Sequence, residues 1–341
     1  MKALVYHGEK ELKWEEAPDP EIGEHQLLIE PRAVGVCGSD LHGYLGLTGR
    51  HIPPMIMGHE FSGVVRQMGR KVEGFAAGDR VCVQPIQFCG TCDFCRQGFQ
   101  NICPNKKLLG VMDVNGAMAE LVAVNADHAF ALADGVSFID GSMVEPFSVA
   151  NSAAKLAPEL RGKNVAVVGA GTIGLCLLQF LVMGKPRRII VTDLSENRLS
   201  VAEKLGAHTL VNPGQVDPVE AVLDATDGLG ADIVFEAVGE SPTARQSVDL
   251  AKIRGNIVWI GNSAKMVEID MQKVVTMELN IQGSYGFTTK TFKETLGLMN
   301  AGKLRAERII SVQQPLSDGA AVFEKMLREK DKHIKAILVN G

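Results

Sequence analysis

The chain has 341 residues, of which 46% are hydrophobic and 22% charged, so it is long enough for two ordinary soluble domains. Its formal net charge of −5 gives no support for binding to nucleic acid or to an anionic membrane surface. The N-terminal residues MKALVYHGEKELKWEE carry charges where a secretion signal needs an apolar core, so we expect a cytoplasmic protein whose seven cysteines are reduced or bound to metal.

Short strand-like runs separated by turn residues fill the first third of the chain. They alternate with turn sequences such as Pro18-Asp19-Pro20 and Gly78-Asp79, a pattern that predicts antiparallel β structure. The predicted strands cover residues 3–6, 12–14, 26–34, 61–65, 80–83 and 116–124.

Potential metal ligands are scattered through this β region and just beyond it. Cys37 stands in VCGSDLHGY, His59 and Glu60 in MGHEFSG, and Glu145 in MVEPFSV. One thiolate, one imidazole and a carboxylate can bind zinc and leave a coordination position for water or substrate. Taken without further context, a lone cysteine beside glycine and a lone histidine are more commonly structural residues, and both interpretations stay open here.

Four cysteines lie close together between the predicted strands. Cys89, Cys92, Cys95 and Cys103 occur in FCGTCDFCRQGFQNIC, separated by two, two and seven residues. Four thiolates at this spacing can surround one zinc ion tetrahedrally and leave no open position, so the segment predicts a structural zinc site. Disulfides suit this spacing poorly in a reducing compartment, and an iron–sulfur cluster is the remaining alternative.

From about residue 145 the pattern changes to helices alternating with short apolar strands. This alternation predicts an α/β domain with a parallel, doubly wound sheet. The predicted strands cover residues 165–168, 188–192, 208–211, 232–236, 255–260 and 279–283. Helices at 290–299 and 316–328 and a final strand at 335–339 complete the predicted elements.

The stretch KNVAVVGAGTIGLCLLQFLVMG, residues 163–184, carries the most informative motif. An uncharged β-branched run precedes Gly169, Gly171 and Gly174 at G-x-G-x-x-G spacing, with Thr172 and Ile173 at the start of an apolar helix. Such glycines permit a tight turn and let a pyrophosphate approach the backbone N–H groups of the helix N-terminus. A membrane-spanning helix is the competing interpretation of this uncharged run, but its glycine-rich, β-branched first half opposes it.

Asp193 ends the next predicted strand, 19 residues beyond Gly174. A carboxylate at this distance can accept hydrogen bonds from the adenosine ribose, and its charge would repel a 2′-phosphate, so the sequence favours NAD over NADP. Arg198, one helical turn further on, is the residue that could weaken this preference. The backbone at Val238 and Gly261, at the ends of two later predicted strands, is placed to line the nicotinamide, although both segments could also be ordinary turns.

Together these motifs resemble the zinc-dependent medium-chain dehydrogenase/reductase family over essentially the whole chain. The resemblance rests on CGSDLH at 37–42, GHEFSG at 58–63, GDRV at 78–81, the four-cysteine segment and GAGTIG at 169–174. Classical alcohol dehydrogenases carry a cysteine ligand where this chain has the glutamate of EPFSV. In this respect the chain resembles the polyol branch, which includes sorbitol dehydrogenase and galactitol-1-phosphate dehydrogenase-like enzymes.

The resemblance implies a two-domain α/β architecture with the active site in the cleft between the domains. A GroES-like catalytic β domain would comprise residues 1–148 and 288–341, with a structural-zinc lobe at 86–106. Residues 149–287 would form the NAD-binding Rossmann domain.

The resemblance also implies which residues bind the catalytic zinc. Cys37, His59 and a glutamate would be the ligands. Glu60 is the typical ligand in the polyol branch, and Glu145 would hold the zinc-bound water or take the place of Glu60. Asp40 matches a carboxylate that orients the histidine ligand.

Ser39 and His42 match the proton relay of the family. Ser39 would accept the proton of the substrate hydroxyl, and His42 would pass it to solvent. Polyol dehydrogenases often carry an arginine–tyrosine pair just after the last Rossmann strand, where this chain has Gly286 and Phe287. This departure argues against sorbitol itself and indicates a smaller, less polar or differently anchored substrate.

The resemblance therefore implies an NAD-dependent zinc dehydrogenase that converts a secondary alcohol of polyol or sugar-alcohol type to a ketone. It would hold two zinc ions per chain, one catalytic and one structural, and would form a homodimer or homotetramer. A zinc dehydrogenase of simple secondary alcohols, diols or L-threonine is the alternative among enzymes. A zinc-stabilised NAD-binding sensor is the alternative outside them, although a sensor has no use for an open metal site beside a proton relay.

Overall fold

The computed structural model describes residues 1–112 and 114–340, and the chain divides into two compact units, Met1–Glu145 with Phe287–Gly341 and Pro146–Gly286. The strands of the described residues are β1 (Lys2–Gly8), β2 (Glu11–Glu16), β3 (Gln26–Val36), β4 (Met55–Ile56), β5 (Glu60–Met68), β6 (Arg80–Val83), β7 (Ile86–Gln87), β8 (Lys107–Leu108), β9 (Val122–Asn125), β10 (Ala129–Ala131), β11 (Asn164–Val168), β12 (Arg188–Thr192), β13 (Thr209–Val211), β14 (Ala231–Glu236), β15 (Ala251–Trp259), β16 (Asn280–Gly283), β17 (Ile310–Pro315) and β18 (Lys335–Val339). The α-helices are α1 (Gly38–Tyr44), α2 (Asp93–Arg96), α3 (Phe138–Ser142), α4 (Val144–Leu156), α5 (Thr172–Met183), α6 (Glu196–Lys204), α7 (Pro218–Ala225), α8 (Ser241–Leu250), α9 (Met271–Thr276), α10 (Thr289–Asn300) and α11 (Gly319–Arg328).

The first unit is built around the long strand β3. Its larger sheet has the order β10-β6-β5-β3-β18-β17, with β9 also paired to β3, and β17 and β18 form its parallel pair. Antiparallel pairing places Gly35 of β3 opposite both Glu60 of β5 and Ile337 of β18. The predicted antiparallel β domain is confirmed, and the C-terminal strand lies next to the strand that leads into the CGSDLH segment.

An apolar core fills the space inside this unit. Buried and half-buried residues alternate along the first part of β3, as expected for a strand with one face on a core. Leu27 and Ile29 of β3 join Phe61 of β5 and Phe323 of α11 among the fully buried side chains. The core therefore fixes β3 and β5, the two strands that carry the metal-ligand candidates.

The second unit contains a six-stranded parallel sheet in its described residues, with the order β13-β12-β11-β14-β15-β16. In sequence order this is 3-2-1-4-5-6, the strand order of the dinucleotide-binding Rossmann fold. All five residues of β11 are buried, which suits the uncharged β-branched sequence of this strand. The Rossmann prediction is confirmed.

The glycine motif connects β11 to α5. The uncharged stretch that could suit a membrane span is divided into this strand and a helix of 12 residues. Among the described residues, no helix is long and apolar enough to cross a membrane. Gly169 has a φ of +98°, and a Cβ on Gly174 would overlap the carbonyl oxygen of Gly169, whereas a Cβ on Gly171 would meet nothing within 4 Å.

One strand prediction in the first unit fails in part, and strand β17 is among those that the sequence did not predict. The strand predicted at 116–124 is wrong over its first part, because the N–H groups of Ala117 and Met118 donate to the carbonyls of Gly58 and Met57 instead, each at 2.9 Å. Strand β17 has no sequence signal because Val312 is its one buried residue.

We predict that Gly174→Ala destabilises the second unit by about 1–3 kcal/mol, the usual cost of overpacking. Gly283→Ala at the exposed end of β16 is the matched control in the same unit, because its new methyl group has open space and should change the free energy of unfolding by less than about 0.5 kcal/mol. Urea unfolding followed by Trp259 fluorescence in a Trp14→Phe background measures this unit. Equal stabilities of the two variants would contradict the proposed packing of the turn.

Candidate metal centres and dinucleotide site

The four clustered cysteines converge on one point. The Sγ–Sγ distances are 3.6 Å for Cys89–Cys103, 3.8 Å for Cys92–Cys103 and 4.0 Å for Cys89–Cys95. Tetrahedral zinc with Zn–S bonds of about 2.3 Å requires sulfurs about 3.8 Å apart, so the four side chains fit a zinc ion. None of the seven cysteines, all of which lie in the described part of the chain, forms a disulfide.

The surroundings of Cys89 and Cys95 shift the pKa values of these two thiols in opposite directions. Backbone N–H donors at Thr91 and Cys92 lower the pKa of Cys89 to about 5, which favours its thiolate. Burial instead raises the pKa of Cys95 to about 12. A bound dication would remove this difference, because coordination deprotonates thiols.

A second group of metal-ligand candidates forms where β3 ends and β5 begins. Cys37 directly follows β3 and is the N-cap residue of α1, while His59 and Glu60 lie at the start of β5. One ligand atom from each of these three residues lies within 4.8 Å of the others. This set would fill three positions of a tetrahedral zinc ion and leave one open, the arrangement of catalytic rather than structural zinc.

Asp40 connects two of these ligand candidates. Its side chain is fully buried, and its Oδ2 accepts the backbone N–H of Cys37 at 2.9 Å, while its Oδ1 lies 3.4 Å from Nδ1 of His59. Burial by itself would raise the pKa of Asp40, but attraction to His59 holds it well below the usual range. Since Nδ1 faces Asp40, the other ring nitrogen of His59 is available for metal.

The protonation of His59 also reflects this cluster. Burial by itself would lower its pKa, but the charges of Asp40 and Cys37 raise it well above the ordinary value. A proton and a metal ion therefore compete for the same imidazole.

A buried lysine from the C-terminal strand completes the surroundings of Glu60. Lys335 is 1% exposed, forms an ion pair with Oε2 of Glu60 and donates to the carbonyl of Val36 at 3.0 Å. A Cβ on Gly35 would overlap the Glu60 carboxylate, so glycine at this position makes room for the pair. Glu60 is thus positioned by β3, which pairs with its own strand, and by Lys335 of β18, the strand on the far side of β3.

Glu145 lies outside the three-residue ligand group. It is buried near the start of α4, and burial raises its pKa to about 8, with the charge of Glu60 adding to this effect. At neutral pH Glu145 therefore has a protonated population. The position of Glu60 beside Cys37 and His59 supports the interpretation of Glu60 as the ligand.

The two relay candidates, Ser39 and His42, both lie on α1 and are half-buried. Their spacing of three residues places them on the same face of the helix, one turn apart. The helix that begins at Cys37 thus also carries the hydroxyl of Ser39 and the imidazole of His42.

The dinucleotide-site candidates gather at the carboxyl end of the parallel sheet. Gly171 is the N-cap of α5, which begins at Thr172 and continues through Ile173, so the helix N-terminus follows the glycine turn directly. Asp193 follows β12, and its Oδ2 accepts the N–H of Ala170 at 2.8 Å while its Oδ1 accepts that of Ser195 at 2.9 Å. Asp193 therefore also braces the glycine turn, a role that the sequence did not indicate.

The other three candidates lie around this turn. Nη1 of Arg198 lies 3.8 Å from Oδ2 of Asp193, so its charge is partly balanced by that carboxylate. Val238 follows β14 and lies against Gly169, because a Cβ on that glycine would come within 2.5 Å of the valine Cγ2. Gly261 follows β15, and its backbone contacts the Val238 segment.

Two buried residues beside the metal-ligand group, His51 and Lys335, were not identified from the sequence. His51 is 7% exposed and its Nε2 lies 3.8 Å from Oδ1 of Asp40, but it occurs in a segment without a motif. Lys335 occurs in KAILV, where a lysine in an otherwise apolar strand was the one available signal. Its partner is 275 residues away, so no local pattern could identify the pair.

We predict that Lys335→Met destabilises the metal-free first unit by about 3–5 kcal/mol, because it leaves the Glu60 carboxylate buried without its partner. The double variant Lys335→Met/Glu60→Gln should recover much of this loss. Urea unfolding followed by Trp14 fluorescence in a Trp259→Phe background measures the effect.

The matched control is the exposed Arg187–Asp227 pair of the second unit, joined at 2.8 Å and followed by Trp259 fluorescence in a Trp14→Phe background. Arg187→Met should cost less than about 1 kcal/mol. Similar costs for the buried and exposed pairs would show that Lys335 does not compensate a buried charge.

We predict that alkylation of the chelator-treated protein at pH 6.5 modifies Cys89 before Cys95 or Cys82. The lowered pKa of Cys89 leaves it mostly thiolate above about pH 5, whereas burial raises the pKa of the other two to about 12. Peptide mass spectrometry after timed iodoacetamide treatment gives the order, and added zinc should protect Cys89. Modification of Cys95 first would refute this assignment.

Comparison with known proteins agrees with this arrangement. Residues 23–134 match the model of the alcohol dehydrogenase GroES-like domain, and residues 172–301 match that of the zinc-binding dehydrogenases. The chain is 32% identical to a sorbitol dehydrogenase of Bacillus subtilis, with 99% of this chain and 97% of the relative covered. It is 33% identical to the (R,R)-butanediol dehydrogenase of the same organism, with 95% and 97% covered.

A similar solved structure is an oxidoreductase of unknown specificity from Escherichia coli. It superposes with a TM-score of 0.94 at 30% identity, over 100% of this chain and 99% of the other. The motifs, the two folds and these similarities lead to one conclusion: the chain belongs to the zinc-containing alcohol dehydrogenases of the medium-chain dehydrogenase/reductase family.

Proposed function

We propose that this chain oxidises a secondary alcohol of polyol or sugar-alcohol type to a ketone, with zinc bound by Cys37, His59 and Glu60 and NAD as the hydride acceptor. The observation that carries the proposal is the three-residue ligand set, which would leave the fourth position of a tetrahedral ion open. A structural metal would use four protein ligands, as the four-cysteine cluster can. Family membership supports a catalyst over a nucleotide sensor.

The metal and the cofactor would supply the chemistry that amino-acid side chains lack, and the protein would supply their positions. Zinc at this site would act as a Lewis acid that makes a bound hydroxyl more acidic, and the nicotinamide would accept hydride. The protein's own task is to orient these groups. Asp40 holds the Cys37 backbone and faces His59, and Lys335 holds one oxygen of Glu60.

Ser39 and His42 would move the substrate's proton. Ser39 accepts it from the hydroxyl, and His42, one turn further along α1, passes it to solvent. This transfer carries the proton that the oxidation releases out of the site, so that positive charge does not build up there. Glu145, with its raised pKa, would hold a water molecule near the ligand group or replace Glu60 transiently.

The glycine turn would bind NAD. Gly169, Gly171 and Gly174 let the pyrophosphate approach the N-terminus of α5, with Thr172 and Ile173 supplying backbone N–H groups. Asp193 would bind the adenosine ribose and disfavour a 2′-phosphate. Arg198 offsets part of that charge, which makes the preference for NAD moderate in size.

Further features of the proposal concern the whole protein. Cys89, Cys92, Cys95 and Cys103 would hold a structural zinc ion in the lobe at 86–106, within a catalytic domain of residues 1–148 and 288–341 around the NAD-binding domain at 149–287. We propose a homodimer or homotetramer in the cytoplasm, as is usual in the family.

A simple diol is the second substrate candidate, and two observations favour it. The chain is as similar to a butanediol dehydrogenase as to a sorbitol dehydrogenase. Phe287, where polyol enzymes often carry a polar residue of an arginine–tyrosine pair, is fully buried and stacks on Phe292 with ring centroids 5.6 Å apart. Phe287 is therefore a core residue, and a substrate with fewer hydroxyl groups needs fewer polar contacts.

The test is NADH formation at 340 nm with sorbitol, xylitol, galactitol 1-phosphate, 2,3-butanediol and L-threonine, each with NAD and with NADP. Saturation by one secondary alcohol, with a higher kcat/KM for NAD, is the expected result. Cys37→Ser should lose one zinc ion per chain and lower activity at least about a thousandfold, since a Lewis acid contributes several kcal/mol of transition-state stabilisation.

Cys82→Ala is the matched control, because Cys82 is buried in β6 outside both ligand groups and should leave both zinc ions bound. A Cys37→Ser variant that keeps two zinc ions or normal turnover would overturn the assigned centre. Failure of every alcohol with both cofactors would overturn the proposed reaction.

A further inference from the structure

Glu236 is a buried acid at the carboxyl end of the parallel sheet to which the proposed function gives no role. It is the last residue of β14 and is 1% exposed. Among the described residues, no lysine, arginine or histidine forms an ion pair with it. A buried carboxylate without a counter-ion is costly unless hydrogen-bond donors replace one, so its local bonds carry the explanation.

These bonds join two loops. Oε1 of Glu236 accepts the N–H groups of Val238 at 3.0 Å and of Gly239 at 2.8 Å, in the loop after β14. Its backbone carbonyl accepts the N–H groups of Ile260 at 2.8 Å and of Gly261 at 3.1 Å, in the loop after β15. One residue thus fixes the backbone at the ends of two neighbouring strands.

The two loops also contact each other through their backbones. A Cβ on Gly239 would overlap the backbone nitrogen of Asn262, and a Cβ on Gly261 would overlap that of Gly239. The carbonyls of Val238 and Gly239 accept the Ser263 hydroxyl and the Ala264 N–H, each at 2.8 Å. Loss of the Glu236 side chain would release the Val238–Gly239 loop directly and should displace the Gly261–Asn262 loop through these contacts.

The position of this loop pair indicates which part of a dinucleotide it serves. β11 is the first strand and lies between β12 and β14, so a dinucleotide bound at its end extends towards both neighbours. Asp193 follows β12 and marks the adenosine side. The loops after β14 and β15 lie on the opposite side of the glycine turn, which Val238 contacts at Gly169.

We propose that Glu236 is a positioning residue that holds the Val238–Gly239 and Gly261–Asn262 loops in the shape that binds the nicotinamide half of NAD. This inference rests on the proposed function, since it assumes that NAD is the cofactor. Glu236 acts through backbone groups and does not touch the reacting atoms. Its loss should weaken binding of the nicotinamide half and spare the adenosine half.

The experiment compares NADH with ADP-ribose, which lacks the nicotinamide, by isothermal titration calorimetry on the full-length zinc-loaded protein. Glu236→Leu should raise the Kd for NADH by about tenfold, in line with the loss of buried hydrogen bonds, and change that for ADP-ribose less than about twofold. Glu236→Gln keeps one acceptor oxygen and should restore much of the NADH affinity. Glu203→Gln on α6, an exposed glutamate, is the matched control and should change neither Kd.

Gly239→Ala provides an independent test if Glu236→Leu does not fold, because it displaces the same loops without altering the acid, and the same selective loss is expected. Equal weakening of both ligands, or no change in either, would overturn the positioning role. Failure of the unmodified protein to bind either NADH or ADP-ribose would instead overturn the cofactor assignment, and the role of Glu236 with it.

Discussion

The burial of several charges around one point is the constraint on which the first unit depends. Asp40, His59, Glu60 and Lys335 are each less than 5% exposed, and Cys37 lies among them. Burying any one of these groups alone as an ion would cost several kcal/mol. The cost is reduced because positive and negative groups lie beside one another, and a bound dication would neutralise the remaining negative charge. The metal-ligand group and the fold of this unit are therefore parts of one electrostatic arrangement.

This constraint gives a physical reason for the discontinuous first unit. The C-terminal strand returns after the whole second unit and pairs with β3, where Ala336 lies opposite Val36. That register delivers Lys335 to the carboxylate of Glu60, which the pairing of β3 with β5 places opposite Gly35. Without the returning strand, the carboxylate would lack its buried cation.

In the second unit, backbone N–H groups also stabilise carboxylates. Two of its carboxylates, Asp193 and Glu236, accept backbone N–H groups of the loops at the carboxyl edge of the sheet. These bonds fix the glycine turn and the loop pair, which leaves the N-terminus of α5 available for a phosphate. Both units thus use buried acids to hold backbone segments in position.

The sequence predicted those features that depend on local spacing. The four cysteines and the glycine turn each occupy a single short segment, and the cysteine sulfurs are brought together as that spacing predicted. The contributions of Lys335, His51 and Glu236 depend on contacts between distant strands or between loops, which no local pattern carries. The first part of the strand predicted at 116–124 fails for the same reason, because the N–H groups of residues 117 and 118 donate to residues 57 and 58.

The central claim is that a metal ion binds at Cys37, His59 and Glu60. Anomalous diffraction from crystals of the zinc-loaded protein, recorded on both sides of the zinc absorption edge, tests it most directly. The account predicts two peaks per chain, one among the four cysteine sulfurs and one beside Cys37, His59 and Glu60. A single peak at the four cysteines, with none beside Cys37, would contradict it.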